Sequence, residues 1–234
     1  MRRNGNMTIV VVVSILCLAA LAAYIRIEHI IPQVYAKHIT CSQVKTGDLL
    51  LFSRSFNVLG DLIKFIVGSP HTHVGIAVVH DNGVLSVAEL NPRSAHKKGV
   101  CVNRILRSGQ CVVRSISHPL CTEVFLKKLA AYNSTVYSYN VVYLLLTKWL
   151  SSVFIFPRSS IYSSGKMCHS KNYKQVCTEF VSSMYASMGV MVPQCECVGS
   201  YKCRRTLTPH DFLYDSNMQL APPYSFSPPQ LLRF

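Results

Sequence analysis

The sequence predicts an α+β domain in which antiparallel strands carry a helix with a reactive cysteine, and a transmembrane helix ahead of that domain. Residues 71–79 and 84–91 alternate like two neighbouring strands. Residues 174–189 have the spacing of a helix with one buried stripe, and residues 7–25 form an uncharged apolar run. The chain of 234 residues is long enough for one such domain with appendages.

The apolar run at residues 7–25 predicts a membrane anchor. Its 19 residues, at a rise of 1.5 Å per residue, nearly cross a hydrocarbon layer of roughly 30 Å. Arg2 and Arg3 precede the run, so the positive-inside tendency leaves residues 1–6 in the cytosol. We therefore expect a single-pass membrane protein whose domain is lumenal, extracellular or on a virion surface.

A cleaved signal peptide is the alternative to an anchor. Residues 20–22 offer a small-residue cleavage site, which would lead to secretion, but the run exceeds the usual apolar core of about 7–15 residues. With an anchor, residues 26–45 act as a spacer and residues 46–215 form the domain. The proline-rich residues 216–234 are expected to be poorly ordered.

The formal net charge of +14 favours an anionic partner. The 24 lysines and arginines are scattered along the chain, and no basic stripe typical of a nucleic-acid interface is visible. We therefore expect membrane lipid or an acylated substrate as the partner of a membrane-embedded protein, and no nucleic acid. The oligomeric state is left open.

The ten cysteines predict a disulfide-bonded domain. Cys17 lies in the apolar run and Cys177 is reserved as a candidate nucleophile, which leaves eight for up to four bridges. Cys195, Cys197 and Cys203 are an alternative zinc site, but their spacing lacks the usual C-x2-C knuckle. No metal and no cofactor are therefore predicted.

The predicted helix at 174–189 places Cys177 in its first turn. The buried stripe consists of Val176, Phe180, Met184 and Met188. Unpaired amides and the positive end of the helix dipole favour a thiolate at that end. The alternative is that Cys177 is a small buried apolar residue. A partner base must decide between the two.

His73 is the candidate base. Its neighbours on the same face of the strand, Gly75 and Ala77, are small and leave room beside the imidazole. We expect the helix of Cys177 to approach that face closely, so that imidazole and thiol meet. His71 lies on the same face, and the H-x-H pair could hold a metal. No third ligand lies within short sequence reach, so a metal is not predicted there.

The turn at 81–83 decides where Glu89 lies. A three-residue loop with a left-handed glycine pairs Gly75 with Glu89 and makes Glu89 a diagonal neighbour of His73. A two-residue loop would put Glu89 on the opposite face. We prefer the three-residue loop, with Asn91 as the alternative group that orients the imidazole.

Three motifs resemble the circularly permuted branch of the papain-like NlpC superfamily. They are GDLLLF at 47–52, THVGIA at 72–77 and VCTEFV at 176–181. The segment TLTPHD at 206–211 also resembles the closing turn of that branch. Its members include bacterial lipoprotein-type amidases, relatives of lecithin:retinol acyltransferase and proteins of large DNA viruses. The histidine strand precedes the cysteine helix here, as in the permuted branch.

The resemblance covers roughly residues 46–215 and implies a permuted papain-like fold. It implies an antiparallel sheet or barrel with the cysteine helix packed against it. Cys177 would be the nucleophile, His73 the general base and Glu89 the residue that orients the imidazole. Threonine stands at 72 and 178 where serine is commoner, and residues 144–173 have no counterpart that we can place.

The function expected from these observations is a membrane-anchored cysteine hydrolase or acyltransferase. It would act on an ester or amide of a lipid or acylated substrate. The apolar stretch at 137–150 favours a lipid. Two alternatives remain open: a peptide amidase, and a catalytically silent membrane-anchored protein that keeps the fold for assembly or entry.

Overall fold

A mixed seven-stranded sheet is the centre of the computed structural model. The structure describes residue 14 and residues 35, 37–53, 64, 69–90, 101–104, 111–132, 135–137, 174–192, 207–215 and 218–233. Between residues 54 and 68 only residue 64 is described, and it is helical. Residues 138–173, which include the apolar stretch beyond 137, also lie outside them.

The strands follow the chain but are reordered in the sheet. They are β1 (His38–Thr40), β2 (Leu49–Phe52), β3 (His73–Val79), β4 (Leu85–Glu89), β5 (Cys101–Arg104), β6 (Cys111–Arg114) and β9 (Gln230–Arg233), in the order β1-β9-β6-β2-β3-β4-β5. A separate parallel pair consists of β7 (Val136–Tyr137) and β8 (Lys174–Gln175). The helices are α1 (Thr122–Ala130), α2 (Cys177–Ser187) and α3 (Pro209–Tyr214), with a short 3-10 turn at Cys41–Gln43.

The sheet differs from the predicted antiparallel sheet or barrel. The pairs from β9 through to β5 are antiparallel, but β1 pairs with β9 in parallel. Within the described residues β1 and β5 form the two edges and do not pair with each other, so the sheet is open. The prediction fails because the strand from the end of the chain inserts between β1 and β6.

Within the described residues, the structure does not support the predicted transmembrane helix. The longest described helix is α2, whose 11 residues span about 16 Å, roughly half of a hydrocarbon layer. No helix in the part of the chain that the structure describes is long and apolar enough to cross a membrane. The predictions of a transmembrane helix and of a single-pass membrane protein are corrected accordingly. The run at 7–25, apart from residue 14, lies outside the described residues.

The proline-rich tail, predicted to be poorly ordered, supplies β9. Leu232 of this strand is buried in the core. The buried guanidinium of Arg114 donates to the carbonyl oxygen of Ser227 at 2.9 Å and lies 5.3 Å from the ring centre of Phe226. Apolar burial and these contacts hold the tail, and no proline lies within the strand itself.

The sheet separates two apolar layers. On one face Val74, Ile76 and Val78 of β3 pack with Phe180 and Met184 of α2. Ala77 belongs to the other layer, together with Leu50, Phe52 and Val87. All four residues of β2 are buried, and they divide between the two apolar layers.

Helix α2 therefore packs on the face opposite to the one we predicted. The branched side chains of Val74 and Ile76 offer more apolar area to a helix than Gly75 and Ala77 do, and burial of that area decides the face. The space beside Gly75 is filled by a side chain of the neighbouring strand β4 instead. A β-carbon at Gly75 would lie 2.5 Å from Cγ2 of Val87.

Helix α2 runs along β3, so that the starts of the two elements coincide. Tyr185 donates its hydroxyl to the carbonyl oxygen of Gly47 at 2.9 Å, and the Gly47 amide donates to Ala77 of β3 at 3.0 Å. From Tyr185 back to Cys177 is about 12 Å along a helix, and from Ala77 back to His73 is about 13 Å along a strand. Equal lengths bring Cys177 to the end of the sheet where His73 lies.

Candidate active site

The hairpin between β3 and β4 has the predicted three-residue turn. Gly83 has a φ of 75°, and the His80 amide donates to the Val84 carbonyl at 3.1 Å. The register runs through Ile76 opposite Ala88, so the next pair outward is Gly75 and Glu89. The predicted register is confirmed, and it makes Glu89 a diagonal neighbour of His73.

Glu89 and His73 are in direct contact. Oε2 of Glu89 lies 2.7 Å from Nε2 of His73, and the two residues are 1% and 6% exposed. A charge-assisted hydrogen bond of this length in a buried place holds the imidazole in one orientation. Asn91, the alternative orienting group, lies outside the described residues.

Cys177 is the other partner of the imidazole. It is the first residue of α2 and is 6% exposed. Its thiol is hydrogen-bonded to the side chain of His73. Glu89 takes Nε2, which leaves Nδ1 as the ring nitrogen available to the thiol. The structure thus brings all three predicted site residues together, with the imidazole between the thiol and the carboxylate.

The electrostatics of the site favour a protonated imidazole. Burial disfavours the charged ring and by itself would lower the pKa of His73. The negative charges of Cys177 and Glu89, and the hydrogen bonds to both, outweigh burial and raise that pKa to about 9. The imidazole therefore holds a proton more strongly than a free histidine does. This is the property required of a base that accepts the proton of a thiol.

His71 has a different environment from His73. It is 1% exposed, its Nε2 lies 3.1 Å from the hydroxyl of Tyr35, and the two rings stack at 6.0 Å. Burial, and next the charge of Lys64, lower the pKa of His71 to about 3, so the ring is neutral at physiological pH. Its Nδ1 has no hydrogen-bond partner among the residues that the structure describes.

The H-x-H pair does not form a metal centre in the described part of the chain. Nε2 of His71 faces Tyr35, and both nitrogens of His73 are engaged by Glu89 and Cys177. No group of three or more potential metal ligands occurs among the described residues. Cys195, Cys197 and Cys203 lie outside them.

Glu179 is a residue of the site that the sequence analysis missed. Its carboxylate is buried and accepts the amide hydrogen of Val176 at 3.0 Å, just ahead of the helix. The signal was present, since a glutamate three positions after the residue that precedes a helix is half of a capping box. Valine at 176 has no side-chain acceptor, so only the glutamate half of the box exists.

Asp48, from the GDLLLF motif, holds the backbone of the turn that precedes β2. It is fully buried, and its two carboxylate oxygens accept the amides of Lys45 and Ile116 at 2.9 Å each. Burial raises the pKa of Asp48, and these bonds oppose that shift. The carboxylate fixes the turn before β2 and ties it to the end of β6.

The thiols that the structure describes are free. They belong to Cys41, Cys111, Cys121 and Cys177. Three of these cysteines were among the eight assigned to disulfide bridges, and they are not paired here. A free thiol at Cys177 is what a nucleophile requires.

No family model and no curated protein sequence matches the chain. Among solved structures the chain is similar to the crystal structure of metalloprotein yiiX from Escherichia coli O157:H7, DUF1105. The sequence identity is 15% and the TM-score is 0.42, over 79% of this chain and 97% of that chain. A similarity at this level supports no conclusion about activity or metal binding here.

Proposed function

We propose that the chain is a thiol-dependent hydrolase or acyltransferase in which Cys177 is the nucleophile. His73 is the general base and Glu89 orients the imidazole. The observation that carries this proposal is the buried imidazole of His73, hydrogen-bonded to the thiol on one side and to the carboxylate at 2.7 Å on the other. Nucleophile, base and orienting group in a row are the pattern of covalent catalysis.

A purely structural role does not account for this arrangement. Burying ionisable groups costs free energy that apolar residues of similar volume would not cost. The other buried carboxylates among the described residues, Asp48, Glu179 and Asp211, accept hydrogen bonds from backbone amides. Glu89 instead holds a histidine that holds a thiol. Such a row of titratable groups is the usual sign of a functional site.

The chemistry follows from these positions. Nδ1 of His73 takes the thiol proton, which leaves a thiolate beside a protonated imidazole. Sγ of Cys177 then attacks the carbonyl carbon of an ester or amide, giving a tetrahedral oxyanion. The oxyanion collapses, the bond to the leaving alcohol or amine breaks, and the leaving group takes the proton from His73. The acyl group remains on Cys177 as a thioester. Water or an acceptor then loses its proton to His73, attacks the thioester and releases the thiol.

The backbone at the start of α2 supplies a donor for the oxyanion. The first intrahelical bond runs from the Phe180 amide to the Val176 carbonyl at 3.0 Å. The amides of residues 177–179 therefore lie ahead of the helical ladder. The Cys177 amide is the one beside the reacting sulfur, and the positive end of the helix dipole points the same way.

The substrate class that we propose is an ester or amide of a lipid or acylated molecule. The net charge of +14 favours a substrate with anionic groups, such as a phospholipid. The motifs that resemble the permuted NlpC superfamily support acyl chemistry of the same kind. A peptide amide is the competing substrate, and a direct comparison of the two decides between them.

Alkylation by iodoacetamide tests the nucleophile, with Cys121 as an internal reference. Cys121 is exposed and lies at the start of α1, so it shares the helix-start position with Cys177 but lacks the histidine. We expect Cys177, although buried, to be alkylated faster than Cys121 at pH 7. His73→Ala should abolish that advantage and leave the Cys121 rate unchanged. Equal rates in wild type, indifferent to His73→Ala, would sink the assignment.

Acyl transfer tests the reaction itself. Wild type incubated with p-nitrophenyl acetate should release p-nitrophenol and carry an acetyl group on Cys177, seen by mass spectrometry of its peptide. Cys177→Ala should do neither. Phospholipid vesicles and an acylated peptide offered in parallel then identify the natural class, since only the preferred one should be turned over with dependence on both Cys177 and His73.

A further inference from the structure

We infer that Glu179 is a positioning residue, which fixes the Cys177 amide for the oxyanion of the reaction. This inference rests on the proposed function. The carboxylate accepts the Val176 amide hydrogen at 3.0 Å and is 8% exposed. The next peptide unit along the chain, between Val176 and Cys177, carries the amide that faces the oxyanion.

The direction of the Cys177 amide depends on the backbone angles of Val176. These are φ −96° and ψ 167°, an extended conformation immediately before the helix. A residue at this position frays unless something holds it. The bond from Val176 to Glu179 closes a ring around the first turn. The Cys177 amide is therefore held in one direction before any substrate binds, which is what an oxyanion donor needs.

Capping alone does not explain why a glutamate does this. Helices usually take Ser, Thr, Asp or Asn as the residue before the first turn, and here that residue is a buried valine. Glu179 also lies in the first turn of the helix, so its carboxylate and the thiolate of Cys177 compete for the same positive end of the helix dipole. A cap that weakens the stabilisation of the thiolate is expected only where its positioning of the Cys177 amide offsets that loss.

Two reactions of the same sulfur separate this role from a structural one. Alkylation by iodoacetamide displaces iodide at an sp³ carbon and forms no oxyanion, whereas acylation by p-nitrophenyl acetate does. Glu179→Ala should lower kcat for the ester by roughly 10- to 100-fold with little change in KM. The alkylation rate of Cys177 should stay near that of wild type. Glu179→Gln keeps an oxygen acceptor for the Val176 amide and should retain most of the ester activity.

Each outcome supports or overturns the inference. Proportional loss of alkylation and acylation in Glu179→Ala would mean a role in folding only and would overturn it, as would a Glu179→Gln variant as weak as Glu179→Ala. If Glu179→Ala does not fold, Glu179→Asp replaces it, because the shorter side chain withdraws the acceptor and should give the same split. Absence of acyl-Cys177 in wild type would instead overturn the proposed function together with this inference.

Discussion

The carboxylate of Glu89 lies 2.7 Å from Nε2 of His73, although Glu89 stands opposite Gly75 in the sheet. The contact is diagonal between two paired strands, and Gly75 has no side chain to obstruct it. A β-carbon at Gly75 would lie 3.4 Å from that of Glu89. Both partners belong to regular strands, so the orientation of the imidazole is set by the hairpin.

Replacing Glu89 by glutamine tests the charge in this contact. Glu89→Gln keeps the shape and an acceptor oxygen but removes the negative charge that helps to raise the pKa of His73. A hydrogen bond to a charged group contributes about 1.5–3 kcal/mol, so we expect kcat to fall by roughly 10- to 100-fold. Steady-state kinetics with p-nitrophenyl acetate measure the change. Full activity in Glu89→Gln would show that the charge has no part in the reaction.

Adding a methyl group at Gly75 should disturb the same contact without replacing either partner. The new β-carbon would lie 2.5 Å from Cγ2 of Val87 and 3.0 Å from the Ala88 carbonyl oxygen, so β3 and β4 must separate. We expect Gly75→Ala to lose about 1–3 kcal/mol in the free energy of unfolding and most of the activity. Urea denaturation and ester hydrolysis measure the two effects.

Gly83 provides the matched control in the same hairpin. A β-carbon there meets nothing within 4 Å, but the φ of 75° is unfavourable for alanine. Gly83→Ala should therefore lose about 1 kcal/mol of stability while kcat stays near that of wild type. If the two variants lost activity equally, hairpin stability and not strand spacing would be the cause.

The raised pKa of His73 predicts how stability depends on pH. The folded chain binds this proton up to about pH 9, whereas an unfolded chain releases it near 6.5. The stabilisation is fully present below pH 6.5 and is lost as the pH rises through 9. The difference in unfolding free energy between wild type and His73→Gln should therefore shrink by up to roughly 3 kcal/mol across this range.

Chemical denaturation at several pH values checks this difference. Cys177→Ala is the informative control, because the charge of Cys177 is one of the causes of the raised pKa. In that variant the loss of stability should begin at lower pH. A wild-type profile that is flat between pH 6.5 and 9 relative to His73→Gln would contradict the electrostatic account.

Local patterns in the sequence predicted the parts of the site that local rules control. The turn at 81–83 sets the register of β3 and β4, so the neighbourhood of His73 and Glu89 could be derived from loop length and pleat. The spacing of apolar residues predicted a helix over 174–189 with Cys177 in its first turn, and α2 runs over Cys177–Ser187. These predictions required contacts between residues fewer than twenty positions apart.

Tertiary packing decided which face of β3 the helix covers and where β9 lies. The sequence alone could not rank the alternatives for these two features. Both faces of β3 are apolar, so alternation did not show that α2 covers the face of Val74 and Ile76. The place of β9 depends on pairing with strands far away in the chain, and the prolines that precede β9 argued against order. Glu179 was overlooked because a valine precedes the helix where a capping residue was expected.

The last prediction concerns how α2 is held at its far end. Tyr185 is fully buried and donates to the Gly47 carbonyl at 2.9 Å, and burial raises the pKa of Tyr185 well above its ordinary value. Tyr185→Phe leaves that carbonyl without its donor and should cost about 1–3 kcal/mol in the free energy of unfolding. Cys177 lies about 12 Å away along the helix, so kcat should stay near that of wild type.

Tyr224→Phe is the control, because the Tyr224 hydroxyl has no partner among the described residues. This substitution should cost less than about 0.5 kcal/mol in the free energy of unfolding. Urea denaturation of both variants decides the question, and equal midpoints would mean that the Tyr185 hydroxyl does not hold the helix to the turn.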